Sequence, residues 1–335
     1  MKYRIFVVLV LSVLVLNLGG STLAGAQSRR SGAELVPLLP ASDGVMIVDG
    51  KRFFGDALPK LLANNQPTLA RITGEMDRFQ SKTGIDVRQF DSIAAGATFK
   101  QLADKKYDVD PVVIARGRMS AASLLSTATR SGNVKYKEER FGERTIYIFD
   151  TADIASTPNT TNRFADGIAV TVIDSTTLAF GTLARVRQTL EGKTKVGIDI
   201  TGLLQQQNPA AVTSFAAKLP PGMKSFLPLE NDELGKNIDS IKYLYGNVDV
   251  VGDLANIHAT ARTLQNAEAK TLHETLSGLQ IFGKALLIGA KGADKQVYSR
   301  LLENVKFSLK GNEVNMDLQV PQSDIDILVG ALTRK

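Results

Sequence analysis

Val305-Lys306-Phe307-Ser308-Leu309-Lys310-Gly311-Asn312-Glu313-Val314-Asn315-Met316-Asp317-Leu318-Gln319-Val320 is the stretch that decides the fold class. Val305, Phe307 and Leu309 alternate with polar residues, and so do Val314, Met316 and Leu318. A period of two places each apolar set on one side of an extended chain. Lys310-Gly311-Asn312 supplies the turn between them, so the segment reads as a β-hairpin. A helix follows, with Ser323 as its N-cap and Asp326 as capping-box partner.

The same order of strand, turn, strand and helix recurs upstream. Residues 167–173 and 177–180 flank Asp174-Ser175 and lead into a helix at 183–190. Residues 241–251 and 255–262 flank Gly252-Asp253 and lead into a helix at 267–282, whose apolar stripe is Ala269, Leu272, Leu276 and Leu279. A further hairpin is expected at 134–149, around Phe141-Gly142, and a helix capped by Ser120 runs to Arg130. Leu69, Ile72, Met76 and Phe79 mark one face of a helix over 67–82, with Pro67 near its start and Gly84 past its end. Residues 45–48, 92–99 and 112–115 read as strands, 210–219 as a helix, and Pro220-Pro221-Gly222 as a turn. The class is α+β: antiparallel sheets built from repeated strand-turn-strand-helix units, with helices packed on one face. A break at 192–202 divides the chain into an N-terminal α+β domain, 33–192, and a C-terminal α+β domain, 200–335.

The N-terminus reads as an export signal, 1–26. Lys2 and Arg4 precede a nearly unbroken apolar run at 5–16, then small polar residues, then Ala24-Gly25-Ala26 before Gln27. That is the order of a secretory signal with an A-x-A cleavage site. Signal peptidase is expected to read Ala24 and Ala26 and leave Gln27 as the first residue. An uncleaved N-terminal anchor is the competing reading, but the run is short of the ~20 residues a span requires. Later stretches are shorter still: 281–290 is apolar but contains Lys284. The expectation is a soluble periplasmic or envelope protein with no transmembrane span once the signal is removed.

The 335 residues correspond to about two domains at ~150 residues each. Hydrophobic residues at 44% and charged residues at 22% are ordinary globular values. With no cysteine, disulfides, zinc–thiolate sites, iron–sulfur clusters and thiol nucleophiles are excluded. Two histidines leave little for a histidine metal site, and the lack of tryptophan weakens a sugar- or base-stacking platform. The formal charge of +6 falls by two when Lys2 and Arg4 leave with the signal, which speaks against nucleic-acid binding.

Several motifs resemble catalytic ones and stop short. Gly278 to Lys284 fits G-x-x-x-x-G-K, but Ala285 stands where magnesium needs Ser or Thr, and a helix end explains the glycines better. His273-Glu274 opens like H-E-x-x-H, yet Ser277 takes the place of the second ligand; His258 is the other histidine. Asp108 with Asp110, and Asp324 with Asp326, are carboxylates two apart, read as a strand entry and a helix start. Neither G-x-S-x-G nor S-x-x-K occurs. Arg116, Arg118, Arg185, Arg187, Lys193 and Lys195 could form an anion or membrane patch, but Glu138, Glu139, Glu143 and Glu191 accompany them. The polar stretch 151–166 reads as a surface loop, open to trypsin at Arg163.

Four segments together resemble a family of exported bacterial proteins known as a domain of unknown function. They are Leu39-Pro40-Ala41-Ser42-Asp43-Gly44-Val45, Thr83-Gly84-Ile85-Asp86-Val87, Ala115-Arg116-Gly117-Arg118 and Thr177-Leu178-Ala179-Phe180-Gly181. The resemblance covers about 37–191 and loosely the remainder; it implies envelope residence and an α+β fold, and it assigns no functional residue. The expected function is a non-catalytic envelope module that binds a protein partner. The alternatives are a periplasmic binder of lipid or another apolar ligand, and a metal-independent hydrolase built on carboxylates. Cofactors, metals and nucleic acid are not expected.

Overall fold

The computed structural model describes residues 31–101, 107–118, 120–130, 135–150, 167–222, 237–288 and 292–333. The signal segment with Ala24, Ala26 and Gln27, and the polar stretch 151–166, lie outside the described residues. Twelve strands are described: β1 Gly44–Asp49, β2 Phe90–Gln101, β3 Tyr107–Gly117, β4 Tyr136–Phe141, β5 Arg144–Phe149, β6 Ile168–Asp174, β7 Thr177–Gly181, β8 Thr213–Lys218, β9 Ile241–Val251, β10 Leu254–Thr263, β11 Lys306–Lys310 and β12 Glu313–Pro321. The longer helices are α1 Gln66–Thr83, α2 Ala121–Arg130, α3 Leu183–Glu191, α4 Ile198–Gln205, α5 Asn266–Leu287, α6 Ala293–Asn304 and α7 Gln322–Thr333.

All twelve strands join one sheet, in the order β11-β12-β10-β9-β8-β1-β2-β3-β7-β6-β5-β4. Every pairing is antiparallel. The expected hairpins are present, each closed by a turn suited to it. What alternation did not show is that the hairpins share a sheet.

The link is β8, in the stretch expected to be helical. Thr213–Lys218 pairs with β1 on one side and β9 on the other. Thr213, Ser214 and Ala216 are all buried, on both faces of the sheet, so no polar–apolar alternation marks the strand. A run buried on both sides cannot be told from a buried helix by periodicity, and its alanines tilt the reading toward helix. α4 begins within 192–202 and runs to Gln205, with Ile200, Leu203 and Leu204 buried. A second helix, α6, follows α5 where none was expected.

Cross-strand register assigns each residue to a front or a back face. Val45, Ile47, Ala94, Val112, Ile114, Ala216 and Tyr245 point to the front, where the 3-10 helix Ala33–Leu38 and α4 cover them. α3 covers Ile146 and Ala169 on the same side through Val186. The back of β1, β2 and β9 packs on the helical segment 50–61, α1 and α7, and the back of β3, β6 and β7 on α2. Helices thus cover both faces of the central strands, not one as expected. Only β10, β12 and β11 keep the one-sided arrangement: Ala255, Ala261, Val314 and Val320 face α5 to α7 at the back.

Two other local readings change. Ser323 lies inside α7, which starts at Gln322 directly after β12. Asp324 is the buried acid of that first turn and pairs with Arg300 of α6. The capping box sits instead at the start of α5, where Glu268 accepts from the backbone N–H of Gln265 at 3.1 Å.

Candidate functional site

The bare front of the C-terminal strands is the most developed polar surface. Between the apolar residues of β10 and β12 stand Asn256, His258, Thr260 and Arg262, and Gln319, Asp317, Asn315 and Glu313. Register places them opposite one another in that order. Each opposed pair closes a side-chain hydrogen bond. Gln319 Nε2 donates to Asn256 Oδ1 at 2.6 Å, and Thr260 Oγ1 to Asn315 Oδ1 at 2.8 Å. His258 Nδ1 lies 2.9 Å from Asp317 Oδ1, and Arg262 Nε donates to Glu313 Oε1 at 2.7 Å. Four consecutive pairs thus hold one another in fixed positions, the sheet counterpart of helix i,i+4 pairing.

β9 extends this ladder inward. Tyr245 donates its hydroxyl to Glu313 Oε1 at 2.6 Å, and Arg262 stacks over its ring 5.2 Å from the centroid. Asn247 Nδ2 donates to Gln207 Oε1 at 3.1 Å. Asp249 accepts from Arg52 Nη2 at 2.7 Å, and Arg52 also reaches the Ala210 carbonyl. A depression of about 350 Å³ opens here, between Asn208, Asn247, Asp249, Asn256, His258 and Gln319. Amide groups dominate its wall, which suits hydrogen bonding to neutral polar groups more than charge attraction.

Burial sets the electrostatics. It pushes the Tyr245 phenol up to about 12, aided by the hydrogen bond to Glu313. Burial would also raise Glu313, but the hydrogen bonds from Tyr245 and Arg262 and the charge of Arg262 outweigh it and lower the carboxyl. Asp249 is raised, because burial exceeds the help from Arg52. A phenol raised in the folded state contributes stability below its unfolded pKa of ~10, and that contribution disappears as pH climbs through the folded value. Tyr245→Phe should therefore cost about 1 kcal/mol at neutral pH. It should also flatten the loss of stability between about pH 10 and 12. Urea unfolding of both proteins across that interval measures it; identical alkaline profiles would contradict the bond to Glu313.

The residues singled out in the sequence do not converge. His258 is on the front of β10, whereas His273 lies on α5, which packs at the back. The sheet separates them, so they cannot share a ligand. Gly278 to Lys284 lies inside α5, not in a loop between strand and helix. Asp110 accepts from Thr182, the N-cap of α3, at 2.7 Å, which is a structural role. Asp326 takes Gln322 Nε2 at 3.3 Å, away from the front face.

The proposed cationic patch is divided among partners as well. Arg116 binds Thr177 and Asp174, Arg118 pairs with Asp91, and Arg187 holds Glu139 through two nitrogens. Lys193 lies 3.7 Å from Glu191, and Lys195 is exposed. Arg185 is buried and donates to Ala41 O at 2.8 Å and Ser42 Oγ at 2.7 Å. It therefore anchors the Leu39–Val45 segment.

Asn256, Gln319, Arg262 and Tyr245 escaped the reading of the sequence. Tyr245 is a buried residue of β9, whereas for Asn256, Arg262 and Gln319 the signal was the polar half of the alternation in β10 and β12. Its meaning depends on register, and no motif announces that.

Comparison with protein-family models and with curated proteins finds no match. Among solved structures, crystal form III of TP0453 is similar with a TM-score of 0.48 at 8% identity, covering 88% of this chain and 97% of that one. Crystal form IV of TP0453 gives 0.47 at 9% identity, over 90% and 97%.

Proposed function

We propose that this chain is a non-catalytic binding module of the bacterial envelope that takes a protein partner on the front face of β10, β12 and β11. The observation behind this reading is the one-sided cover of these strands. Three helices pack on their back, while the front carries an ordered ladder of bonded side chains and no helix among the described residues. Three strands at ~4.8 Å spacing and about eight residues at ~3.4 Å each make a face on the order of 400 Å². That is about half of the ~800 Å² per partner of a standard protein interface. Arg262 belongs to the residue types that dominate such interfaces.

The pairing of the charges favours binding over acid–base chemistry. Asp249 is held by Arg52 and Asp317 by His258, so the acids of the face already have partners. The N-terminal segment supports export, and with it the envelope as the place of action.

A double variant, Ser308→Arg with Asn315→Arg, puts two long cations on the face without touching the core. A control, Lys270→Glu with Glu274→Lys, reverses an exposed pair on α5. Tagged proteins recovered from gently solubilised envelopes are compared for co-purifying protein. The face variant should lose the partner at least tenfold and the control should keep it; equal recovery with both would refute the assignment of the face.

A further inference from the structure

Beyond Leu272, no residue of α5 is buried, although the helix continues to Leu287. One flank of this second half meets α6: Gln280 Nε2 donates to the carbonyls of Leu302 at 2.7 Å and Val305 at 2.8 Å. Leu302 also sits so near Gly283 that a Cβ there would lie 2.8 Å from its Cδ1. The opposite flank has no cover. Leu279, Phe282 and Leu286 form one stripe at spacings of three and four, and Ile281, Ala285 and Ile288 form the stripe beside it. Exposure reaches 70% for Ile281, 61% for Phe282, 66% for Leu286 and 83% for Ile288.

A helix flank turned to water ordinarily carries charged residues; these two stripes carry none. Residues 279–298 contain Lys284, Lys291 and Lys295 against one acid, Asp294. We infer that the end of α5, from Leu279 to Ile288, inserts into the surface of an anionic phospholipid bilayer. The apolar stripes enter the boundary between headgroups and acyl chains while Lys284 of α5 and the exposed Lys295 of α6 meet the anionic headgroups. A second copy of the chain is the poorer occupant, because a two-fold contact would set the same excess of lysines against itself. No described helix is long and apolar enough to cross a membrane, so the contact is with the surface. This differs from a lipid enclosed between sheet and helices, and it uses none of the front-face residues.

The chain lacks tryptophan, so Phe282→Trp in the full exported protein creates a single local reporter. Tyr136→Trp, at the opposite edge of the sheet, is the control. With vesicles of phosphatidylglycerol and phosphatidylcholine, the reporter at 282 should shift to the blue and be quenched by brominated acyl chains. The reporter at 136 should not change. Ile281→Ser with Phe282→Ser should reduce vesicle binding by about 100-fold, at roughly tenfold per side chain withdrawn from the bilayer. Added salt should weaken the response. Three results would each overturn the inference: no shift at 282, an equal shift with phosphatidylcholine alone, or a shift that tracks protein concentration without lipid.

Discussion

Arg185→Met should lower the free energy of unfolding by about 3 kcal/mol, although it replaces a charge with an apolar side chain of similar length. Two effects compete. The guanidinium is buried, and burial opposes its charge more than the nearby Asp110 and Asp43 support it. Its removal therefore relieves a desolvation cost. Against that, Ala41 O and Ser42 Oγ lose their donors, as does Gln188 Oε1 at 2.8 Å. The two carboxylates also lose their compensating cation. An apolar replacement is neutral only when the partners are replaced too, and here they remain. Urea denaturation measures the loss. Arg187→Met, two residues on, removes only a surface pair with Glu139 and should barely move the midpoint. Equal effects of the two substitutions would show that Arg185 does not hold the 39–45 segment to α3.

Gly246→Ala should be at least as damaging, at about 3 kcal/mol or more. Gly246 lies in β9 opposite Ala259 of β10. A Cβ there would stand 2.1 Å from the His258 carbonyl oxygen and 3.0 Å from Ala259 Cα. Both are backbone atoms, so relief requires β9 and β10 to separate and the ladder beside them to open. Gly278→Ala is the same chemical change in the open interior of α5, where a Cβ would meet nothing within 4 Å. It should stabilise by up to about 1 kcal/mol, from helix propensity alone. Opposite signs for one substitution at two sites would trace the effect to the close strand approach. Hydrogen exchange should show protection lost in β8 to β10 and kept in β4 to β7.

These results turn on a sheet that was only partly legible in the sequence. The β9–β10 and β11–β12 hairpins could be read because each keeps one face apolar and one polar. β5, β6 and β7 have buried residues on both faces, so β4–β5 and β6–β7 were marked by their turns. Gly142, Gly252 and Gly311 hold the left-handed conformation their turns need. β8 could not be read, since Ser214 and Ala216 are buried on one face and Thr213 on the other. α6 was hidden for a different reason. Among its described side chains only Val297 is buried, so its apolar stripe is thin. The front face was half visible. The alternation of Val314, Met316 and Leu318 implies a polar face at Glu313, Asn315, Asp317 and Gln319, but the partners of that face on β10 follow only from which strand lies beside which. His258 and Asp317, 59 positions apart, carry no mutual signal in the chain.

The most direct test of the front face as a docking surface is site-specific photocrosslinking in intact cells. A photoreactive residue is placed at His258 or Gln319 on the face, and at Lys270 on α5 behind it. A discrete crosslinked protein species is expected from positions 258 and 319, with none from 270. The same species from all three positions, or from 270 alone, would contradict binding through the front of the sheet.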